Sequence, residues 1–324
     1  MSTPCLMVGV AVGCLTFVGS NAAHAQGTPG DGPNVRQMVT GLEGGSGSAI
    51  GPDGALYVTE TAAGRISRVD PESGEITTVA EGLPKEMIGI GGAMDVAFIG
   101  DTAYVLVTLV GEDVGGSDAV GIYRVDGPDR FTVVADIGAF SSQNVPSNAA
   151  IDVPSGVQYA MEPHGEGFLV TDGHHNRLLS ATVDGEVSEL MAWGNTVPTG
   201  LAMSGDTIYM AEAGPIPHTA EDGKIVSFEL ASPTVSDVAS GARLIVDVEL
   251  GPDQRLYALA QGDWAGDGAG GPAEPDTGAL LEVDENGAFT LIANGLNLPT
   301  SLEFVGGTAY VVTLTGEILA IDVP

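Results

Sequence analysis

The chain has 324 residues, 43 of them acidic and only 10 basic, for a formal net charge of −33. A surface this negative repels phosphate backbones and anionic lipid, which excludes nucleic acid and membrane surfaces as partners and favours solubility and attraction for cations. Both cysteines, Cys5 and Cys14, lie near the start, so the remainder can form no disulfide, thiolate metal site or cysteine nucleophile.

In chain order, residues 1–25 read as a signal peptide. LMVGVAVGCLTFVG is an apolar stretch too short for a comfortable membrane span, and Ala23-His24-Ala25 before Gln26 is an A-x-A cleavage pattern. Val12-Gly13-Cys14 also resembles the end of a lipoprotein signal, and a retained anchor is the other alternative. The expectation is an exported chain, periplasmic or extracellular, without stable membrane insertion after cleavage. A short linker, 26–34, precedes a single domain, 35–324.

VRQMVTGL opens that domain, and a unit then recurs: an apolar run, a Gly/Pro/Asp turn and a second run anchored mostly by tyrosine. The anchors are Tyr57, Tyr104, Leu169, Tyr209, Tyr257 and Tyr310, spaced in the range of known repeat architectures. Each of the first five units holds four short segments rich in Val, Ile, Thr and Tyr, such as GSGSAIG, ALYVTE, GRISRVD and EITTVA. That pattern predicts a four-stranded antiparallel meander. The sixth unit has only three segments before the chain stops, and VRQMVTGL matches the fourth segments FTLIANGL and EITTVAEGL. The predicted fold is therefore all-β: a six-bladed β-propeller of four-stranded antiparallel blades, closed by the N-terminal strand completing the last blade. Closure removes the open edges a linear array would expose. No extended 3.6-residue apolar stripe argues for helix.

Along the innermost strands, Ile50, Phe98, Met161, Met203, Leu250 and Phe304 form a bulky side, while Ala49, Ala97, Ala160 and Ala202 form a small one. Glu249 and Glu303 interrupt the small side, with Arg255 as a candidate partner. The long loops all belong to one face of the propeller, and the opposite face has short turns. One face is thus elaborated, which is where function concentrates.

These repeats resemble a known family. GFLVTDGHHNRLLSATVDGEV is similar to an NHL repeat. VPTGLAMSGDTIYMAEAG and LPTSLEFVGGTAYVV, with GEITTVAEGLP and FTLIANGLNLP, closely resemble the ScyD/ScyE family of exported propellers. The resemblance covers essentially the whole chain after residue 25, and it implies a repeat architecture rather than a reaction. More distantly the chain is similar to streptogramin lyases and to the gluconolactonase/senescence-marker family, which implies a six-bladed propeller with a metal at the channel mouth. No stretch matches either family's catalytic motif.

Aligning the repeats puts Glu60, Asp172 and Glu212 at the ends of second strands, and Asp95 and Asp247 at the starts of first strands. Both levels face the elaborated side. A ring of oxygen ligands there suits Ca²⁺ or Mg²⁺; the alternative is that the carboxylates face channel water or backbone N–H groups. Gln158, Thr199, Thr300 and Ser301 add neutral oxygens at the same levels. His175 and His218 fall on elaborated loops near Glu212 and are candidates for a general base or a ligand. Trp264 offers an apolar contact for a ligand. The loop with Asp263, Asp267 and Asp276 does not follow the EF-hand pattern and reads as a flexible acidic loop.

Two functions follow as expectations. The first is a monomeric binding or scaffolding propeller that presents its loop-rich face to a small molecule, glycan or protein. The alternative is a metal-dependent lyase or lactonase-type hydrolase at the channel mouth.

Overall fold

The computed structural model describes residues 35–324 apart from Asn148, Ala150 and residues 267–270. The segments expected to be a signal peptide and a linker, and Asp267, lie outside the described residues. Six four-stranded antiparallel sheets stand as blades. Blade 1 spans 45–81, blade 2 92–136, blade 3 158–192, blade 4 198–242 and blade 5 245–296. Blade 6 spans 299–322, and its outer strand is Val35–Val39, which pairs antiparallel with Ile318–Asp322. The chain is thus a six-bladed propeller closed by its N-terminal strand, as the missing fourth segment predicts.

Among the described residues six parts of the core lie one between each pair of neighbouring blades, and a smaller seventh gathers Val197, Ala213, Leu244 and Ala273. Leu106 and Ile122 of blade 2 pack with Phe168 and Leu179 of blade 3. At the seam, Val58 and Val69 of blade 1 pack with Val312 and Ile318 of blade 6. The other four junctions are built alike. The anchor tyrosines show why the repeat keeps its aromatic: Tyr57 meets Phe98 of the next blade edge-on at 4.8 Å between ring centroids, and Tyr104 and Tyr257 meet Phe168 and Phe304 at 5.1 and 4.8 Å. Such pairs contribute about 0.5–1.5 kcal/mol beyond their buried area.

Polar clasps on the innermost strands join blades as well. Met161 N–H donates to Asp95 Oδ2 at 2.8 Å, linking blade 3 to blade 2. Leu302 N–H donates to Asp247 Oδ2 at 2.8 Å, linking blade 6 to blade 5. At the seam, Ser48 N–H donates to Ser301 Oγ at 3.1 Å, and the two hydroxyls lie 2.8 Å apart. Glycine makes room for the two aspartates: a Cβ on Gly47 or Gly200 would lie 2.2 or 2.3 Å from Oδ1 of Asp95 or Asp247.

Two features differ from the sequence expectations. A seven-residue helix, Ile137–Gln143, leaves blade 2, capped by Asp136, whose carboxylate accepts from Ala139 N–H at 2.8 Å. Blade 3 also sits two residues away from its expected register. Glu162, not Ala160, lies opposite the anchor Leu169, as Ala49, Ala97 and Ala202 lie opposite theirs. Pro163 suggests an early turn, but the strand runs through it to His164, which pairs with Gly167.

Candidate functional site

The five carboxylates nominated from sequence fall into two settings rather than one ring. Glu60, Asp172 and Glu212 end second strands, and each lies opposite a cation at or next to the start of the third strand: Arg65, Arg177 and Lys224. Arg65 Nε and Nη2 both donate to Glu60 at 2.7 Å, and Glu43 N–H and Ser67 Oγ donate as well. Burial pushes the Glu60 pKa up, but these donors outweigh it and hold the carboxyl below its ordinary value. Asp172 is wholly buried and receives Arg177 Nε and Val157 N–H, each at 3.0 Å. Its pKa is also lowered, because burial is outweighed by His175, Arg177 and that N–H. Lys224 lies 3.6 Å from Glu212, too far to overcome burial, and the Glu212 pKa is raised. The lone pairs of Glu60 and Asp172 are spent on their own blades. These three side chains are absent from the channel wall.

Asp95 and Asp247 do reach the central channel, a cavity of about 380 Å³ along the propeller axis. Its wall runs from loop residues of the elaborated face, such as Ile90, His218 and Pro272, to Glu303 on the inner strands. Three more carboxylates, Glu162, Glu249 and Glu303, line it at the level where blades 1, 2 and 4 carry alanine. Glu249 and Glu303 were visible in the sequence as breaks in the alanine pattern. The partner suggested for them, Arg255, instead pairs with Glu282 at 2.9 Å. Glu162 was hidden by the two-residue register difference.

No arginine or lysine lines this channel. Burial and then the charge of Asp247 push Glu162 up to about 7, and burial carries Asp247 itself to about 7. Glu303 is raised well above its ordinary range by burial, then by Glu249, Asp247, Glu162 and Asp95. Burial is also the main cause for Glu249 and Asp95. Among the described residues no group of three or more His, Asp, Glu or Cys side chains is arranged to hold a metal ion, and the nominated carboxylates are divided between two settings.

The other nominated residues divide similarly. Thr199 and Thr300 line the channel, but their hydroxyls donate to Ile245 O at 2.9 Å and Ser46 O at 3.0 Å, stitching one blade to the next. Gln158 is buried at the junction of blades 2 and 3, where it accepts from Thr108 Oγ1 at 2.9 Å and donates to Ser155 O at 3.1 Å. His175 is buried off the channel, its Nδ1 3.1 Å from Asp172 Oδ2 and 3.0 Å from Arg177 Nη2. Its neighbour His174, near Tyr159, is pushed down to about 4, chiefly by burial. His218 lines the channel, and burial lowers its pKa, favouring the neutral ring. Trp264 stands edge-on to His218 at 5.5 Å and lines a second cavity of about 280 Å³ with Arg243 and Asp263. His175 and His218 therefore occupy separate environments rather than one catalytic pair.

No family profile matches the chain, and no curated protein matches it. Many solved structures share its architecture. A virginiamycin B lyase from Staphylococcus aureus is 14% identical over 90% of this chain and 99% of its own, with a TM-score of 0.53. A gluconolactonase from Xanthomonas campestris is 11% identical over 90% of both chains, with a TM-score of 0.61. An aldose sugar dehydrogenase from Streptomyces coelicolor, in a PQQ-bound form, is 15% identical over 91% of this chain and 99% of its own, with a TM-score of 0.57. Identities this low show a common propeller fold and leave the chemistry to each protein's own site. No helix among the described residues is long and apolar enough to cross a membrane.

Proposed function

We propose that the chain is an exported, ScyD/ScyE-like binding propeller that takes a small ligand into its central channel from the loop-rich face. The observation that carries this reading is the cavity of about 380 Å³ whose five carboxylates have no arginine or lysine on the wall. Its volume falls within the range of about 300–1,000 Å³ typical of small-molecule pockets. The protein gives its other buried carboxylates, Glu60, Asp172 and Glu212, cations of its own. Export is supported by the apolar start and the A-x-A pattern before Gln26, and family membership by the repeat motifs. A thermal-shift screen of small molecules and metal salts on the chain beginning at Gln26 tests the binding reading. Ligands that raise the melting temperature of the wild type, and fail to do so when Ala49→Trp fills the channel, support it. Ligands equally effective on that variant overturn it.

A metal-dependent lyase or lactonase is the second reading. It is favoured by the fold shared with proteins named for such activities and by the carboxylates Asp95 and Asp247 in the channel. A bound divalent cation would polarise a substrate carbonyl or activate water. This chain's contribution would be to orient the substrate along the channel wall and to offer His218 as a neutral base. Metal retained stoichiometrically after dialysis, and lost in Asp247→Ala, would favour this reading. Metal-free protein whose stability ignores added Ca²⁺ would remove it.

A further inference from the structure

We infer that the ligand of the central channel is an organic cation, an alkylammonium or diammonium compound with a hydrocarbon body. The inference rests on the channel-binding reading and adds the ligand's chemical class.

Three observations converge. First, the charge is unanswered. Glu162 and Glu303 accept no hydrogen bond from any described residue, and Glu249 accepts only from the neighbouring Leu250 N–H. Neutralisation comes from a proton or from a cation brought in from outside the chain, because like carboxylates enclosed together oppose one another's ionisation.

Second, part of the wall is hydrocarbon: Ile50, Phe98 and the alanines Ala49, Ala97 and Ala160 line the same cavity, together with Tyr159 and the hydroxyls of Ser48, Thr199, Thr300 and Ser301. A calcium ion takes six to eight oxygens at about 2.3–2.6 Å, and magnesium demands a near-octahedral oxygen shell. No group of three or more His, Asp, Glu or Cys side chains is arranged to build such a shell among the described residues. A methylene chain ending in ammonium matches both parts of the wall: its body lies against aliphatic and aromatic side chains, and its head meets carboxylates and ring faces.

Third, His218 stands half-buried on the channel wall, its ring beside the backbone of Ala213 and Gly214. A neutral imidazole keeps one acceptor nitrogen, which an ammonium N–H can meet.

The test is isothermal titration of the full chain with 1,5-diaminopentane, and with 1,5-pentanediol as the uncharged analogue of equal length. The diamine is expected to bind at least tenfold more tightly than the diol, and its affinity to fall at least tenfold in Glu249→Gln/Glu303→Gln. Calcium and magnesium chloride at matched ionic strength are expected to displace it weakly. Equal affinity for diamine and diol overturns the inference, and this arm needs only the wild type, so it holds even if the double variant fails to fold. Tighter binding of calcium or magnesium than of the diamine also overturns it. If uncharged molecules bind and are lost in Ala49→Trp while the diamine does not bind, the cation class is wrong and the channel-binding reading stands. If nothing binds in the channel, both fall.

Discussion

At the scale of single residues, the protein uses carboxylates in two opposite ways. Glu60 and Asp172 sit against arginines and their pKa values are lowered. A lowered carboxyl pKa contributes stability above the unfolded value, and that contribution is lost as pH falls through the folded one. Glu60→Ala leaves Arg65 and Ser67 without their acceptor. It should cost about 3 kcal/mol near neutral pH, a magnitude typical of breaking a buried pair, and less in acid; urea denaturation at pH 7 and pH 3 checks both. The loss should be the same with or without calcium, since Glu60 serves Arg65. Glu162 and Asp247, each raised to about 7, act with the opposite sign. Between the ordinary carboxyl value and about 7 the folded chain holds more protons than the unfolded one, so stability falls as pH rises through that window. Glu162→Gln should therefore stabilise the protein at pH 8 by on the order of 1 kcal/mol, raising the melting temperature by about 2–4 °C; calorimetry at pH 5 and 8 should show the gain only at the higher pH. The sequence could nominate acidic residues but could not divide them. An i,i+5 Glu–Arg or Asp–Arg spacing across a hairpin, as in Glu60–Arg65 and Asp172–Arg177, is the signal that would have separated the paired from the unpaired.

At the scale of strands, blade register depends on where glycine leaves space. Gly47 and Gly200 lie beside the aspartates of the next blade, and a Cβ would also come within 2.6 Å of the Cα of Asp95 or Asp247. That is backbone, which cannot swing aside. Gly200→Ala should therefore displace the Asp247 clasp on Leu302 N–H and cost about 1–3 kcal/mol, the usual price of overpacking. Gly194→Ala, which meets nothing within 4 Å, should change stability by less than about 0.5 kcal/mol. Equilibrium unfolding of the two variants side by side checks the contrast. Alternating apolar runs and turn residues made five of the six innermost strands legible. The third was misjudged because Pro163 imitates a turn, whereas the strand accommodates it and turns only at Gly165 and Glu166. The short helix at Ile137 escaped because seven residues are too few for a periodic stripe to emerge.

At the scale of the whole molecule, closure was legible because the sixth unit lacks a strand and the chain begins with one that fits. Deleting residues 35–39 should leave Ile318–Asp322 as an open edge and remove Val39 from the seam core. The truncated chain should melt at lower temperature and associate, an outcome that light scattering and size-exclusion chromatography would register. The channel was less legible because no segment contains it: its wall is assembled from single residues of all six blades, and a sequence shows them only as departures from the repeat.

The level shared by Ala49, Ala97, Glu162, Ala202, Glu249 and Glu303 has one more consequence. The backbone repeats six times around the axis, but the side chains at this level do not. Glu249 of blade 5 faces Ala97 of blade 2, Glu303 of blade 6 faces Glu162 of blade 3, and Ala49 of blade 1 faces Ala202 of blade 4. The potential around the bore is consequently uneven, weighted towards blade 5. A molecule inside this nearly symmetric tube would therefore meet a different wall in each of its six rotational settings.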